Sequence, residues 1–286
     1  MNATHGTTDG RQVLRLEKRL PHAPEKVWRS ITEPDQLSRW YPLTVTDVDL
    51  QIGGEIKFDD GEGTTYSGTI TELEPHRVFA FNEEDDLLHL ELRSDDRGTV
   101  LVLTHTFDGR MMVPATAAGW HDCLDTVEAV VEGRRADDTD RTVELHEHYV
   151  HEFGFDRGSL ETSGTGWELR FDRPLMKQPV DVVWAALTAD GPPQPGGAVP
   201  AAFTTPQVPA SSVVSVEPPR RLEYDWTVDG SSVGRVGWEL ADGAGGARIV
   251  LTQTGPAELS DRGDAALPVW RQHIESVVGR LRSSAE

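Results

Sequence analysis

Three groups of residues carry side chains suited to chemistry. His105 lies in the run Thr99–Phe107, where it alternates with Leu101, Leu103 and Phe107. Period-two alternation puts those four side chains on one face of a strand, so His105 is a single polar group on an apolar surface. An imidazole in that setting can orient a carbonyl or move a proton near neutral pH, which makes His105 the catalytic candidate. Cys123 follows His121 and Asp122, but adjacent helical residues point in different directions. In helical register its thiol lies with Trp120 and Val127, toward the core, where a thiol is normally inert. His146, His148 and His151 cluster with Glu147 and Glu152. The fourth residue after His146 is Val150, so the spacing is not His-Glu-x-x-His, and two ligands on an exposed helix make a poor metal site. A solvated helix face is expected there, with no metal and no other cofactor. The sequence contains no Gly-rich phosphate loop, nucleophile elbow or paired-carboxylate motif.

The elements that must position these residues are written twice. Residues 14–32 read LRLEKRLPHAPEKVWRSIT and residues 169–188 read LRFDRPLMKQPVDVVWAALT. Glu74-Pro75-His76-Arg77 then matches Glu217-Pro218-Pro219-Arg220, Leu103-Thr104-His105-Thr106 matches Leu251-Thr252-Gln253-Thr254, and Trp120 with Leu124 and Val127 matches Trp270 with Ile274 and Val277. A period this long is a repeated domain, because solenoid units run to about 20–50 residues. The copies are expected at 12–154 and 167–284, joined by a Gly/Ser/Thr-rich linker at 155–166. Gln253 stands where the first copy has His105; an amide can orient a ligand but is no base at neutral pH.

In the first copy, Val13 to Leu20 alternates as a half-buried strand. Pro24 opens a short helix to Thr32, with Val27, Trp28 and Ile31 on one face. Pro34-Asp35 starts a second short helix leading into Trp40-Tyr41-Pro42. About six strands follow as an antiparallel meander, broken by Gly53-Gly54, Asp59–Gly63, Pro75-His76, the acidic run Glu83–Asp86 and Asp95–Gly98. The acidic run is expected to be a solvated hairpin loop. Val113 to Glu132 is expected to be a long amphipathic helix, with Trp120, Leu124, Val127 and Val131 as its apolar stripe. Arg134–Arg141 is expected to be an exposed loop and 142–153 a short helix. The second copy is 11 residues shorter between its first helix and its meander. It carries Gly191–Gly197 in place of the second helix, and so is expected to lack one wall of its pocket mouth.

The 286-residue chain has room for two cores. Its net charge is −21, of which residues 1–154 carry −16. So acidic a surface repels phosphate backbones and argues against nucleic acid or an anionic membrane as partner. No obligate protein partner is evident. The polar start of the chain resembles no signal peptide, and the single cysteine fits a reducing cytoplasm.

A helix with one apolar stripe cannot cover a curved sheet completely, so apolar space is expected between them. The residues placed to line it are Trp40, Tyr41, Phe58, Tyr66, Phe81, Leu103, His105 and Trp120 in the first copy. In the second they are Phe203, Tyr224, Trp226, Trp238, Gln253 and Trp270. Flat aromatic walls with few polar points suit a polyene or fused-ring ligand.

The phrases Pro24-Glu25-Lys26-Val27-Trp28, Trp40-Tyr41-Pro42, Gly53-Gly54-Glu55-Ile56, Glu72-Leu73-Glu74-Pro75 with Arg77, Leu103-Thr104-His105-Thr106 and Gly119-Trp120-His121-Asp122-Cys123-Leu124 carry a resemblance. So does His148–Gly154 as a C-terminal tail. The first copy resembles the AHSA1-like branch of the START/Bet v 1/polyketide-cyclase superfamily over nearly all of 12–154; the second copy matches more weakly over 167–283. In layout the chain is similar to di-domain proteins of bacterial polyketide and enediyne loci. The resemblance implies an α+β chain of two tandem helix-grip domains, each a curved antiparallel sheet around a long C-terminal helix, with a cavity for hydrophobic ligands. It implies a soluble cytoplasmic protein that binds a polyketide-type metabolite as carrier, sequestering protein or biosynthetic accessory. The alternatives are a cyclase or aromatase using His105, an Hsp90 co-chaperone, or a protein-interaction module, so enzyme and binding protein both stay open.

Overall fold

The computed structural model describes residues 1–135 and 139–283. Residues 136–138 of the expected loop 134–141, and residue 284 of the expected second domain, lie outside the described residues. The chain divides into two compact units, Met1–Tyr149 and Val150 onward. Both are α+β: each has one antiparallel sheet and a long helix at its C-terminal side.

The first unit contains β1 (Asn2–Thr8), β2 (Arg11–Leu20), α1 (Pro24–Thr32), α2 (Pro34–Leu37), β3 (Thr44–Val48), β4 (Glu55–Asp59), β5 (Thr65–Glu74), β6 (Val78–Glu83), β7 (Asp86–Asp95), β8 (Gly98–Phe107) and α3 (Val113–Glu132). Helix α4 (Thr142–Glu152) follows, and the division between the units falls within it. Its eight strands lie in the order β1-β2-β8-β7-β6-β5-β4-β3. The six-strand meander is β3 to β8. Strand β1 falls in the polar N-terminus, outside the expected domain start at residue 12, and pairs with β2 from Asn2↔Glu17 to Thr8↔Arg11. None of its residues is fully buried and all but Ala3 and Gly6 are polar, so it leaves no apolar alternation to read.

Alternation decides which face of the sheet is covered. Leu14, Leu16 and Leu20 on β2, and Leu101, Leu103, His105 and Phe107 on β8, are all buried. They share the face over which α3 lays Trp120, Leu124, Val127 and Val131, all buried as well. His105 therefore points to the concave side. Helix α3 ends at Gly133, whose φ of 71° is the left-handed cap that glycine takes most readily. Helix α1 starts with proline in its first turn and buries Val27, Trp28 and Ile31.

The second unit contains β9 (Ser159–Thr162), β10 (Gly166–Pro174), α5 (Val180–Leu187), a 3-10 turn (Ala201–Phe203), β11 (Ala210–Glu217), β12 (Arg221–Val228), β13 (Ser231–Gly243), β14 (Gly246–Pro256), a second 3-10 turn (Ala257–Leu259) and α6 (Ser260–Ser283). Its strand order, β11-β12-β13-β14-β10-β9, repeats the first sheet with the last two strands removed. Thus β9, β10 and β14 stand where β1, β2 and β8 do. Among the described residues nothing corresponds to α2, β3 or β4, so the shortening removes two strands as well as the expected helix. The segment expected as linker, 155–166, holds β9, which pairs with β10.

Candidate functional site

In the first unit a cleft of about 510 Å³ opens beside the concave face, lined by Tyr41, Pro42, Leu43, Glu83, Glu84, Asp85, Asp86, Leu88, His105, Asp108 and Trp120. The turn after α2 builds one wall. Trp40 turns inward and donates its indole N–H to the Ser30 carbonyl at 2.8 Å, fixing the turn to α1. Its neighbour Tyr41 faces the cleft. Adjacent residues of one turn thus divide into an anchor and a wall, and Trp40 is an anchor.

Tyr41 ties together an aromatic group. Its ring stacks on Phe58 at 5.4 Å between centroids and lies 5.6 Å from Trp120 and 6.1 Å from Phe81. Phe58 and Phe81 form the layer behind the cleft, and Tyr66, half-buried, sits opposite Phe58 on β5. Leu103 is fully buried in mid-strand and packs without reaching the cleft. The Tyr41 hydroxyl donates to Glu83 at 2.5 Å. Burial pushes the Glu83 carboxyl up, with Asp86 and Glu84 adding to the rise while the tyrosine bond opposes it. Burial, reinforced by Glu83, raises the Tyr41 phenol well above its usual range.

His105 is held at both ring nitrogens. The Trp120 indole N–H can only donate, and it donates to His105 Nδ1 at 2.9 Å. The ring proton is therefore on Nε2, which donates to Asp86 at 2.9 Å. Arg11 approaches the other Asp86 oxygen at 3.5 Å. A second proton on His105 would have to enter Nδ1 and face the Trp120 N–H. Burial depresses the His105 pKa, and Arg11 adds to the fall, while the bond and charge of Asp86 oppose it. The imidazole is a neutral, oriented group with its lone pair committed to Trp120 and its N–H to Asp86.

Glu83 and Asp86 correct the expectation of a solvated acidic loop. They pair across the β6–β7 hairpin, leaving only Glu84 and Asp85 as its turn. Counting by twos from Phe81 and Leu88 puts Glu83 and Asp86 on the concave face. That signal was present in the alternation but masked by four consecutive acids. The expected solvated histidine face is also corrected. His146 and Glu147 are 0% and 6% exposed, leaving only His148 and His151 of the cluster's histidines outward, because α4 is buried over a wider arc than its apolar residues mark. Burial pushes the Cys123 thiol up to about 12, which leaves it protonated and unreactive near neutral pH.

The second unit repeats the central pair with a different acceptor. Trp270 Nε1–H donates to Gln253 Oε1 at 2.6 Å, as Trp120 does to His105. Its other aromatics fill the interior. The Phe203 carbonyl accepts from the Tyr224 hydroxyl at 2.8 Å and from Trp238 Nε1 at 3.0 Å. The Phe203 ring sits edge-on to Trp184 and Trp238, and His273 Nε2 donates to the Ala202 carbonyl at 2.8 Å. The 3-10 turn is thus plugged into the space where a ligand was expected. Of the six residues expected to line this pocket, Trp226 and Gln253 do line a cleft, of about 420 Å³, and Pro206–Pro209 supply the wall expected to be missing. Phe203, Tyr224, Trp238 and Trp270 pack the core.

Residues 21–132 match the family of Activator of Hsp90 ATPase homolog 1-like proteins. No curated protein matches the chain. Among solved structures, a conserved protein of unknown function from Enterococcus faecalis is 19% identical, with 53% of this chain and 90% of that chain covered and a TM-score of 0.47. CalU16 from Micromonospora echinospora is 21% identical over 54% of this chain and 94% of that chain, TM-score 0.43. An AHSA1-like protein from Aeromonas hydrophila is 24% identical over 42% and 92%, TM-score 0.37. The family match runs from before α1 to the end of α3, so the first domain of this chain is similar to AHSA1-like proteins.

Proposed function

We propose that the first domain binds an apolar small molecule, of the fused-ring or polyene kind that polyketide chemistry produces, in the cleft between Tyr41, Trp120 and the β6–β7 hairpin. One observation carries this reading: an open cleft has two aromatic walls and a single fixed neutral imidazole at its base. Aromatic faces supply area and stacking worth about 0.5–1.5 kcal/mol per contact. The rim is different in character, because Glu84, Asp85 and Asp108 put carboxylates at the mouth, which favours neutral or cationic ligands over anions.

The test is quenching of tryptophan emission by a panel of polyenes, fused aromatics and fatty acids. Saturable micromolar quenching by neutral ring systems, reduced at least tenfold by Tyr41→Ala, is the expected result. Absence of saturation by every compound would remove the reading.

A second reading, a cyclase or aromatase, is favoured by the position of His105 in the cleft wall. Proton transfer through His105 requires its bond to Trp120 or to Asp86 to open first, and so the binding role comes ahead of the catalytic one. His105→Ala abolishing turnover of a reactive polycarbonyl chain, with binding intact, would establish the catalytic reading.

A further inference from the structure

The second domain holds a buried donor with nothing to donate to. Gln253 is 1% exposed. Trp270 fixes its orientation: an indole N–H must meet an oxygen, so Oε1 faces Trp270 and the amide nitrogen faces the other way. That Nε2 is buried without a hydrogen-bond partner among the described residues, and an unmet buried donor is costly enough to be rare. Gln253 lines the 420 Å³ cleft together with Trp226, Val208, Ala266 and Arg262.

Comparison of the two sheets explains why the donor is free. In the first domain Leu88 stands opposite His105, and Asp86, two residues earlier, accepts the hydrogen bond of His105 Nε2–H. In the second, Val236 stands opposite Gln253, and two residues earlier is Gly234. A side chain there is excluded, since a Cβ on Gly234 would lie 1.9 Å from the Thr254 carbonyl oxygen and 2.5 Å from Trp226 Nε1. The carboxylate that answers the ring proton in one copy has no counterpart in the other. The Gln253 donor is left unanswered beside the cleft that it lines.

We propose that the second domain is a separate binding site for an apolar molecule bearing an sp² oxygen, whose carbonyl or carboxylate accepts from Gln253 Nε2. The apolar body lies against Trp226, Val208 and Ala266. Arg262, at an exposed position of α6 on the cleft wall, meets a carboxylate when the acceptor is an acid. This site does not depend on the reading of the first domain.

The test compares naphthalene, acetylnaphthalene and naphthoate, read as the part of the quenching that is lost in Trp226→Phe. The same titrations in Tyr41→Ala remove the first cleft's share of the quenching, so failure of either site is visible without the other. Acetylnaphthalene should bind about tenfold more tightly than naphthalene. Gln253→Glu keeps an oxygen for Trp270 and removes the donor, and should erase that preference. Ala265→Trp, at an exposed cleft-lining position, should abolish binding of all three probes, and it serves if Gln253→Glu fails to fold. Arg262→Ala weakening naphthoate alone identifies the occupant as an acid. Acetylnaphthalene binding unaffected by Arg262→Ala and at least as tight as naphthoate identifies a neutral carbonyl compound. Equal binding of naphthalene and acetylnaphthalene to the wild type, persistence of the preference in Gln253→Glu, or unchanged binding in Ala265→Trp would each overturn the proposal.

Discussion

His105 is defined by its two partners more than by its own basicity. Glutamine at this position would reproduce both bonds, offering an oxygen to Trp120 and an N–H to Asp86, and the second domain already uses glutamine against Trp270. His105→Gln should therefore fold and bind like the wild type while losing any acid–base activity. It should also change the pH response. The folded pKa of His105 is lowered, so the unfolded chain binds more protons and stability falls as pH drops below about 6.5 toward the folded value, by at most about 1.4 kcal/mol per pH unit. Denaturant titrations from pH 8 to 5 should show that fall shallower in His105→Gln. An unchanged slope would mean the imidazole is not neutral and buried as described. Glu83 acts with the opposite sign: its pKa is raised, so folding favours its protonated form and this group adds stability as pH falls. Tyr41→Phe deletes a bond made to the carboxylate, and should cost about 1–2 kcal/mol at pH 7.5 and less at pH 5. An equal cost at both pH values would show that Glu83 does not titrate there.

Among the elements, β5 is placed by a glycine. Gly68 lies opposite Ile56 of β4, and a Cβ there would lie 1.9 Å from the Asn82 carbonyl oxygen at the end of β6. Gly68→Ala must push β6 away, at a cost of about 1–3 kcal/mol. Because Glu83 follows Asn82, the same change should weaken ligand quenching in the first domain. Gly119 is the contrast, exposed on α3 with open space where a Cβ would go; Gly119→Ala should stabilise by about 0.5–1 kcal/mol. Thermal melts of the two variants check both signs. The strands and helices with apolar periodicity, such as β2, β8 and α3, were legible in the sequence because burial on one face writes a period. What lacked a period was not: β1 is polar on both faces, and β9 is four residues long. The cleft residues divide the same way. Tyr41, His105 and Trp120 could be found from type and alternation, whereas Glu83 and Asp86 were hidden in an acidic run. The wall at Pro206–Pro209 belongs to an irregular segment whose path only packing decides.

At the scale of the whole chain, two copies of one plan have moved apart in what they offer a ligand. The first keeps an open cleft walled by Tyr41 and Trp120 and ringed by carboxylates; the second fills that space with Phe203 and opens elsewhere, beside Gln253 and Arg262. No helix among the described residues is long and apolar enough to cross a membrane. Charge has diverged as well, with −16 of the net −21 on residues 1–154. That excess lies where it can select ligands, since Glu84, Asp85 and Asp108 stand at the mouth of the first cleft. Read as the quenching that is lost in Tyr41→Ala, laurate should bind about tenfold more weakly than its uncharged methyl ester at about 20 mM salt. The gap should narrow toward about 0.5 M salt as the Debye length shortens and the rim charges are screened. Laurate binding as tightly as the ester at low salt would mean the carboxylate rim takes no part in selection, and the aromatic walls alone would then set which molecules enter.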